Sequence, residues 1–190
     1  MLKIFKNSWA LFSGYFIIMI AHGFQGNLLG VRSVIEEFNF LATGAIMTGY
    51  FVGYFAGANL IPKIVGKVGH IRVFAAFASM ASLSILIHAV LVNPFIWTLG
   101  RFVTGFSLVS IFIVMESWLN DRANNRTRVQ LLSIYMFITL IGLALGTLLL
   151  NFSSPEKYEP FILISLLLSL ALVPILLTKR KAPKFKKLGF

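Results

Sequence analysis

Cysteine is absent from these 190 residues. That excludes a disulfide framework and any thiolate-bound metal. Charge is scarce as well. Asp, Glu, Lys and Arg make up 12% of the chain, against about a quarter in a soluble domain, and only six residues are acidic. No carboxylate pair lies deep in an apolar run, no Ser–His dyad has evident spacing, and no His/Asp/Glu cluster has ligand spacing. The chain is therefore not expected to be an enzyme or to need a metal or cofactor. The N-terminus, Met1-Leu2-Lys3-Ile4-Phe5-Lys6, lacks a following small-x-small cleavage site, and the apolar run after it is too long for a signal peptide.

Apolar sequence is abundant. Hydrophobic residues account for 58% of the chain and the mean hydropathy is +0.87, more than a soluble fold of this length can bury. Six runs approach or reach the ~20 residues that cross a bilayer: Trp9–Leu29, Phe40–Ile61, Val73–Val92, Phe95–Met115, Val129–Leu150 and Phe161–Thr178. Such segments satisfy their backbone groups internally only as helices, and strict alternation of the barrel-strand kind is missing. The expectation is an all-α, multi-pass membrane protein with six transmembrane helices over residues 1–178 and a basic tail over 179–190. Pro94 and Pro160 sit beside helix starts, where proline is tolerated, and Pro174 should kink the sixth run or lie near its end.

The charges alternate between the connections. Fourteen Lys and Arg fall at the N-terminus, the second and fourth loops and the tail, and two fall on the opposite side, Arg32 and Lys157. The positive-inside rule places both termini, the second loop and the fourth loop in the cytoplasm, and the plasma (inner) membrane is the expected location. A net charge of +11 could suggest nucleic acid, but the basic residues lie between apolar runs rather than on a soluble face, so lipid headgroups are the expected contact.

Some residues break the apolar pattern. Gly49, Gly53 and Gly57 recur every four residues, beside a stripe of Thr43, Met47, Tyr50 and Tyr54. Tyr135, Thr139, Gly142 and Gly146 share a face in the fifth run. Both patterns read as close helix packing, or as surfaces that slide during transport. His22, with Gln25 three residues on, is either a hydrogen-bonding group between helices or a substrate or proton site. His88, near the outer end of the third run, reads as structural. Arg101 lies about two turns into the fourth run, where an arginine costs up to ~2.5–3.5 kcal/mol, so a cavity-facing role is expected. Glu116, fifteen residues later, lies roughly on the same face, at the inner boundary. Its expected partners are Lys67, Arg72, Arg126 or Arg128, in a cytoplasmic network that includes Asp121. That network would act either as a latch or as a static boundary salt bridge.

Three stretches carry a family resemblance. They are Gly69-His70-Ile71-Arg72-Val73-Phe74-Ala75-Ala76, Arg101-Phe102-Val103-Thr104-Gly105-Phe106, and Glu116-Ser117-Trp118-Leu119-Asn120-Asp121-Arg122-Ala123 followed by Asn125-Arg126-Thr127-Arg128. Together with the charge pattern they resemble the N-terminal half of a major facilitator superfamily transporter, of the YcaD-like subgroup. The resemblance covers nearly the whole chain. It implies half of that fold, built as two inverted three-helix repeats, and transport of a small solute by alternating access with protons as a candidate coupling ion. Arg101-x-x-Thr104-Gly105 resembles the family's fourth-helix motif linked to proton coupling, with Thr104 where Gln is usual. The resemblance thus puts Arg101, His22, Gln25, Tyr50, Tyr54 and Thr104 at the cavity, and Gly105 among the packing glycines.

The family's transporters have twelve helices, so this chain is expected to be a truncated or split half that needs a C-terminal half or a second copy. A non-transporting membrane scaffold or assembly subunit is the alternative.

Overall fold

The computed structural model describes residues 2–123 and 127–177, all of whose regular structure is helical. The helices are α1 (Leu2–Ile35), α2 (Phe40–Val68), α3 (His70–Val90), α4 (Pro94–Arg122), α5 (Arg128–Leu149), α6 (Glu159–Leu170) and the short α7 (Leu172–Leu176). A 3-10 turn over Leu150–Phe152 follows α5. Arg126 and the basic tail lie outside the described residues.

Local chemistry sets most of the ends. Asn39 caps α2 by accepting from the Ala42 amide at 2.8 Å, and Asn93 caps α4 by accepting from the Phe95 amide at 2.9 Å. Pro94 and Pro160 occupy first-turn positions, where a missing N–H costs nothing. Gly69 alone joins α2 to α3, with φ +88° and ψ 160°, a backbone conformation open essentially to glycine. Pro174 has no N–H for the Leu170 carbonyl, and the sixth expected span breaks there into α6 and α7. Two helices overrun their apolar runs at their C-terminal ends. α2 continues through Pro62, Lys63 and Lys67 to Val68, and α4 through Glu116 to Arg122, because long apolar helices need not stop at the bilayer boundary.

Among the described residues, five helices, from α2 to α6 with its extension, are long and apolar enough to cross a bilayer. α1 has ample length at 34 residues, but His22, Gln25 and Asn27 dilute its apolar run. The burial pattern suits lipid as solvent. Phe51, Phe55, Phe95, Val129, Phe137 and Leu140 are exposed, while Gln25, Ser84, His88, Arg101, Thr104 and Ser107 are buried. Ser82 lies 2.8 Å from Ser165 and 3.1 Å from Ser169, so hydroxyls tie α3 to α6.

Two pairings dominate the packing, α2 along α4 and α5 along α1. Both are glycine contacts, as the four-residue spacings lead one to expect. A Cβ on Gly53 would strike the Phe102 carbonyl, one on Gly57 the Val109 side chain, and one on Gly49 would come within 2.7 Å of the Thr98 carbonyl oxygen. From the other side, a Cβ on Gly105 would strike the Tyr50 carbonyl. Gly142 and Gly146 meet α1 at Met19 and Ile20. Gly23 reciprocates from α1 against Leu143 of α5, a contact that its sequence position gave no sign of.

Backbone cannot yield as a flexible side chain can, so enlarging these glycines separates the helices. Gly53→Leu and Gly105→Val are each expected to destabilise the bundle by about 3 kcal/mol or more, at or above the usual overpacking range. Gly26→Ala, whose Cβ would meet nothing within 4 Å, should stay within about 0.5–1 kcal/mol of the parent or exceed it. Denaturant titration in detergent micelles, followed by circular dichroism, measures all three.

Candidate functional site

The glycine contact between α2 and α4 brings their polar residues together. Arg101 of α4 lies against Tyr50 of α2, its guanidinium carbon 4.7 Å from the ring centroid. His22 of α1 stacks on the same tyrosine, with centroids 5.4 Å apart and planes at 21°, and its Nε2 lies 3.5 Å from the Tyr50 hydroxyl. His22, Tyr50, Phe51, Tyr54 and Arg101 line a pocket of about 380 Å³. Four of the six residues expected at the cavity therefore converge from three helices.

The electrostatics of this pocket are one-sided. Arg101 is 4% exposed, and its Nε and Nη1 are buried without a hydrogen-bond partner, as is Nδ1 of His22. All six acidic residues fall within the described part of the chain, and none forms an ion pair with Arg101. The ion pair found there joins Arg32 to Glu36 in the connection between α1 and α2. A desolvated cation–π contact contributes about 2 kcal/mol, whereas burying an ion costs several. Tyr50 alone does not offset the burial of Arg101. The site is a cation that lacks an anion.

Gln25 and Thr104, the other two expected cavity residues, are not in the pocket. They are fully buried and paired, with Gln25 Nε2 donating to Thr104 Oγ1 at 3.2 Å. Thr104 Oγ1 donates to the Gly100 carbonyl at 3.0 Å, which also accepts from Ser84 at 2.8 Å. Three residues on a helix turn about 300°, leaving Thr104 about 60° around α4 from Arg101, enough to set its hydroxyl against Gln25 of α1 and Ser84 of α3. This pair holds three helices together beneath the site. His88, expected to be structural, has Nδ1 2.6 Å from the Ser84 carbonyl oxygen and Nε2 3.2 Å from that of Trp97, and it packs on Gly100.

From the pocket an aromatic surface runs toward the C-terminal end of α4. Tyr50 touches Tyr54, with centroids 6.2 Å apart, and Tyr54 touches Phe112 at 6.2 Å. Phe112 meets Tyr15 at 6.1 Å, and Tyr15 stacks on Tyr135 at 4.8 Å. The Tyr15 and Thr139 hydroxyls are 2.9 Å apart. The path ends at Glu116, whose Oε1 accepts from the Tyr135 hydroxyl at 3.4 Å. Glu116 is about 22 Å along α4 from Arg101. Phe112 was not anticipated, although it lies eleven residues after Arg101, three full turns along the same face.

Among the described residues, the expected basic partners of Glu116 are not beside it; Arg126 lies outside them. Lys67, Arg72 and Arg128 are exposed and make no ion pair with it, and Asp121 is exposed as well. The reason is rotational. The corner between α2 and α3 reaches α4 at the next residue, where the His70 ring lies 2.8 Å from the Ser117 hydroxyl, about 100° around the helix from Glu116. Glu116 faces α5 instead.

A larger groove of about 540 Å³ runs between α1 and α5, lined by residues such as Trp9, Phe16, Phe137 and Ile141. Its walls are almost wholly apolar and suit an acyl chain or an apolar side chain better than an oriented solute.

Comparison with known proteins gives the family of this sequence. The family model of the Major Facilitator Superfamily matches residues 11–189. A protein of Escherichia fergusonii named "Uncharacterized MFS-type transporter YcaD" is 25% identical over 169 residues, covering 89% of this chain and 44% of that protein. Its namesake in Escherichia coli O6:K15:H31 is 26% identical over 171 residues, with the same coverage. The chain thus spans less than half the length of these curated relatives. By a match that takes in all the residues lining the Arg101 pocket, it belongs to the major facilitator superfamily of membrane transporters.

Proposed function

We propose that this chain is the N-terminal half of a secondary transporter that moves a small solute by alternating access. The observation that carries the reading is the pocket in which Arg101, His22, Tyr50 and Tyr54 converge with unsatisfied donors on a membrane helix bundle. Buried ionisable groups at such depth characterise solute and ion pathways.

In this reading six helices cross the inner membrane with both termini in the cytoplasm. The pairing of α2 with α4 and of α5 with α1 supports two three-helix units with inverted topology, since exchanging the units turns one pairing into the other. The pocket is one wall of a central cavity. A C-terminal six-helix half, or a second copy in parallel, supplies the opposite wall. Protons are the candidate coupling ion, with His22 beside Arg101 as the group that exchanges them.

The inner end of the aromatic surface is the moving part. Glu116 and Tyr135 join α4 to α5 in this conformation, and Lys67, Arg72, Arg126 and Arg128 form the basic surround that Glu116 engages in the other. The glycine faces of α2 and α5 let the helices shift without losing contact.

The cysteine-free sequence makes testing direct. Tyr54→Cys should react with an aqueous thiol reagent in membranes, and an inert Tyr54→Cys would count against a water-filled cavity. In proteoliposomes holding the chain with its complementary half, Arg101→Ala should lower solute flux at least tenfold, about 1.4 kcal/mol or more. Flux equal to the parent's would remove Arg101 from the pathway. Glu116→Gln should leave stability within about 0.5 kcal/mol while changing the labelling of cysteines placed at the inner ends of α4 and α5. Unchanged labelling would reduce Glu116 to a boundary residue.

A further inference from the structure

The pocket also constrains the chemical class of the solute. Every charged or hydrogen-bonding group on its wall is a cation, an imidazole or a phenol, and no carboxylate of the chain is near enough to pair with the guanidinium. Two guanidinium nitrogens of Arg101 and one imidazole nitrogen of His22 are buried there without partners. A cationic solute would find no counter-charge on this wall and would be repelled by Arg101. A neutral sugar-like solute would leave the guanidinium uncompensated in a desolvated site. The remaining lining is flat and aromatic, from Tyr50, Phe51, Tyr54 and His22, and offers faces rather than a ring of acceptors.

We propose that Arg101 binds the carboxylate of a small, planar organic anion whose apolar body lies against Tyr50, Tyr54 and His22. This rests on the transport reading above and narrows it. A carboxylate matches the planar fork of a guanidinium and makes a charge-assisted contact that neither Tyr50 nor water reproduces in a desolvated pocket. The cation–π contact from Tyr50 holds the guanidinium in place before the ligand arrives, so that less rotamer freedom is lost on binding. The same absence of acids makes the site selective, because a ligand without negative charge leaves a buried cation unmatched. Gln25, Thr104 and Ser84 hold α1, α3 and α4 in register behind this wall without touching the ligand.

The test uses the full 190-residue chain carrying Tyr54→Cys in nanodiscs, with the rate of labelling by a charged aqueous thiol reagent as the readout. Benzoate and acetate serve as carboxylate probes, and benzamide is the neutral isostere of benzoate. Benzoate is expected to slow labelling at lower concentration than acetate, and benzamide to leave it unchanged. Adding Arg101→Gln should raise the half-protecting concentration of benzoate roughly tenfold or more, the scale of one lost charge-assisted contact. Adding Arg101→Lys, which keeps the charge but loses the fork, should fall between the two. Labelling that proceeds equally with and without both carboxylates overturns the anion proposal and leaves the water-filled cavity standing, as does protection by benzamide equal to that by benzoate. Protection by benzoate that survives Arg101→Gln also overturns it. Absence of labelling in the parent overturns the cavity reading and the anion proposal together. Circular dichroism of each variant in the same nanodiscs separates loss of binding from loss of fold.

Discussion

The contact between α2 and α4 governs the rest of the molecule. Gly49, Gly53 and Gly57 present bare backbone to α4, and Gly105 presents bare backbone to α2. Inside a membrane no hydrophobic force pulls helices together, because lipid tails solvate apolar side chains as well as other side chains do. Association then depends on how closely the backbones can approach and on hydrogen bonds between them. The chain uses glycine for the first and serine, threonine and glutamine for the second. The placement of Tyr50 and Tyr54 follows from this. They alternate with the glycines along α2, so the contact that seats Gly53 and Gly57 against Phe102, Phe106 and Val109 also swings the two tyrosines to the edge of α4 where Arg101 emerges.

Close packing also explains how a buried arginine is tolerated. An arginine on an isolated helix lowers its cost by snorkelling to the interface. Arg101 is held against Tyr50 and lines a pocket, with Nε and Nη1 buried. The unfavourable term remains in the empty bundle, and under the anion proposal it would be released when something negative enters. A site that is complementary to its ligand but strained without it couples occupancy to conformation, because the ligand stabilises the arrangement that presents the cation best. Glu116 stands in the opposite condition. It is exposed and holds a single 3.4 Å hydrogen bond from Tyr135, so it can exchange partners at little cost. Among the described residues, one helix carries a cation with no anionic partner toward its N-terminal end and a weakly held carboxylate toward its C-terminal end.

Much of this was legible from residue spacing. The glycine repeats foretold the two tight helix pairs. The depth of Arg101 led to an expected cavity, but spacing alone did not show that the tyrosines of α2 would meet it. Pro174 foretold the break between α6 and α7. Other features were illegible for physical reasons. Gln25 and Thr104 lie within a turn of His22 and Arg101, and a rotation of one residue decides whether a polar group faces a cavity or a neighbouring helix. Sequence spacing does not reveal which face α3 covers. Glu116 went astray in the same way. Charge counting offered it four basic partners, but charge attracts through space and helix rotation decides who is in reach. Ser117, not Glu116, faces the basic corner.

α1 shows why composition alone understates such a protein. Its described apolar run is diluted by the residues that give the pocket its chemistry or support it, His22 within the site and Gln25 directly behind it. A helix that faced lipid all round could not carry those groups, since each would be an unsatisfied donor in hydrocarbon. α1 can carry them because α5 covers one flank through Gly142 and Gly146, while the buried Gln25 contact ties another to α4. Polar residues within an apolar run therefore mark a helix shielded by its neighbours on several sides. In a membrane transporter, polarity within an otherwise apolar run indicates a helix that faces other protein or a cavity rather than lipid. By that criterion α1 and α4, with the tyrosines of α2, carry the pocket, and the more uniformly apolar α3 and α6, tied by Ser82, Ser165 and Ser169, form the support behind it.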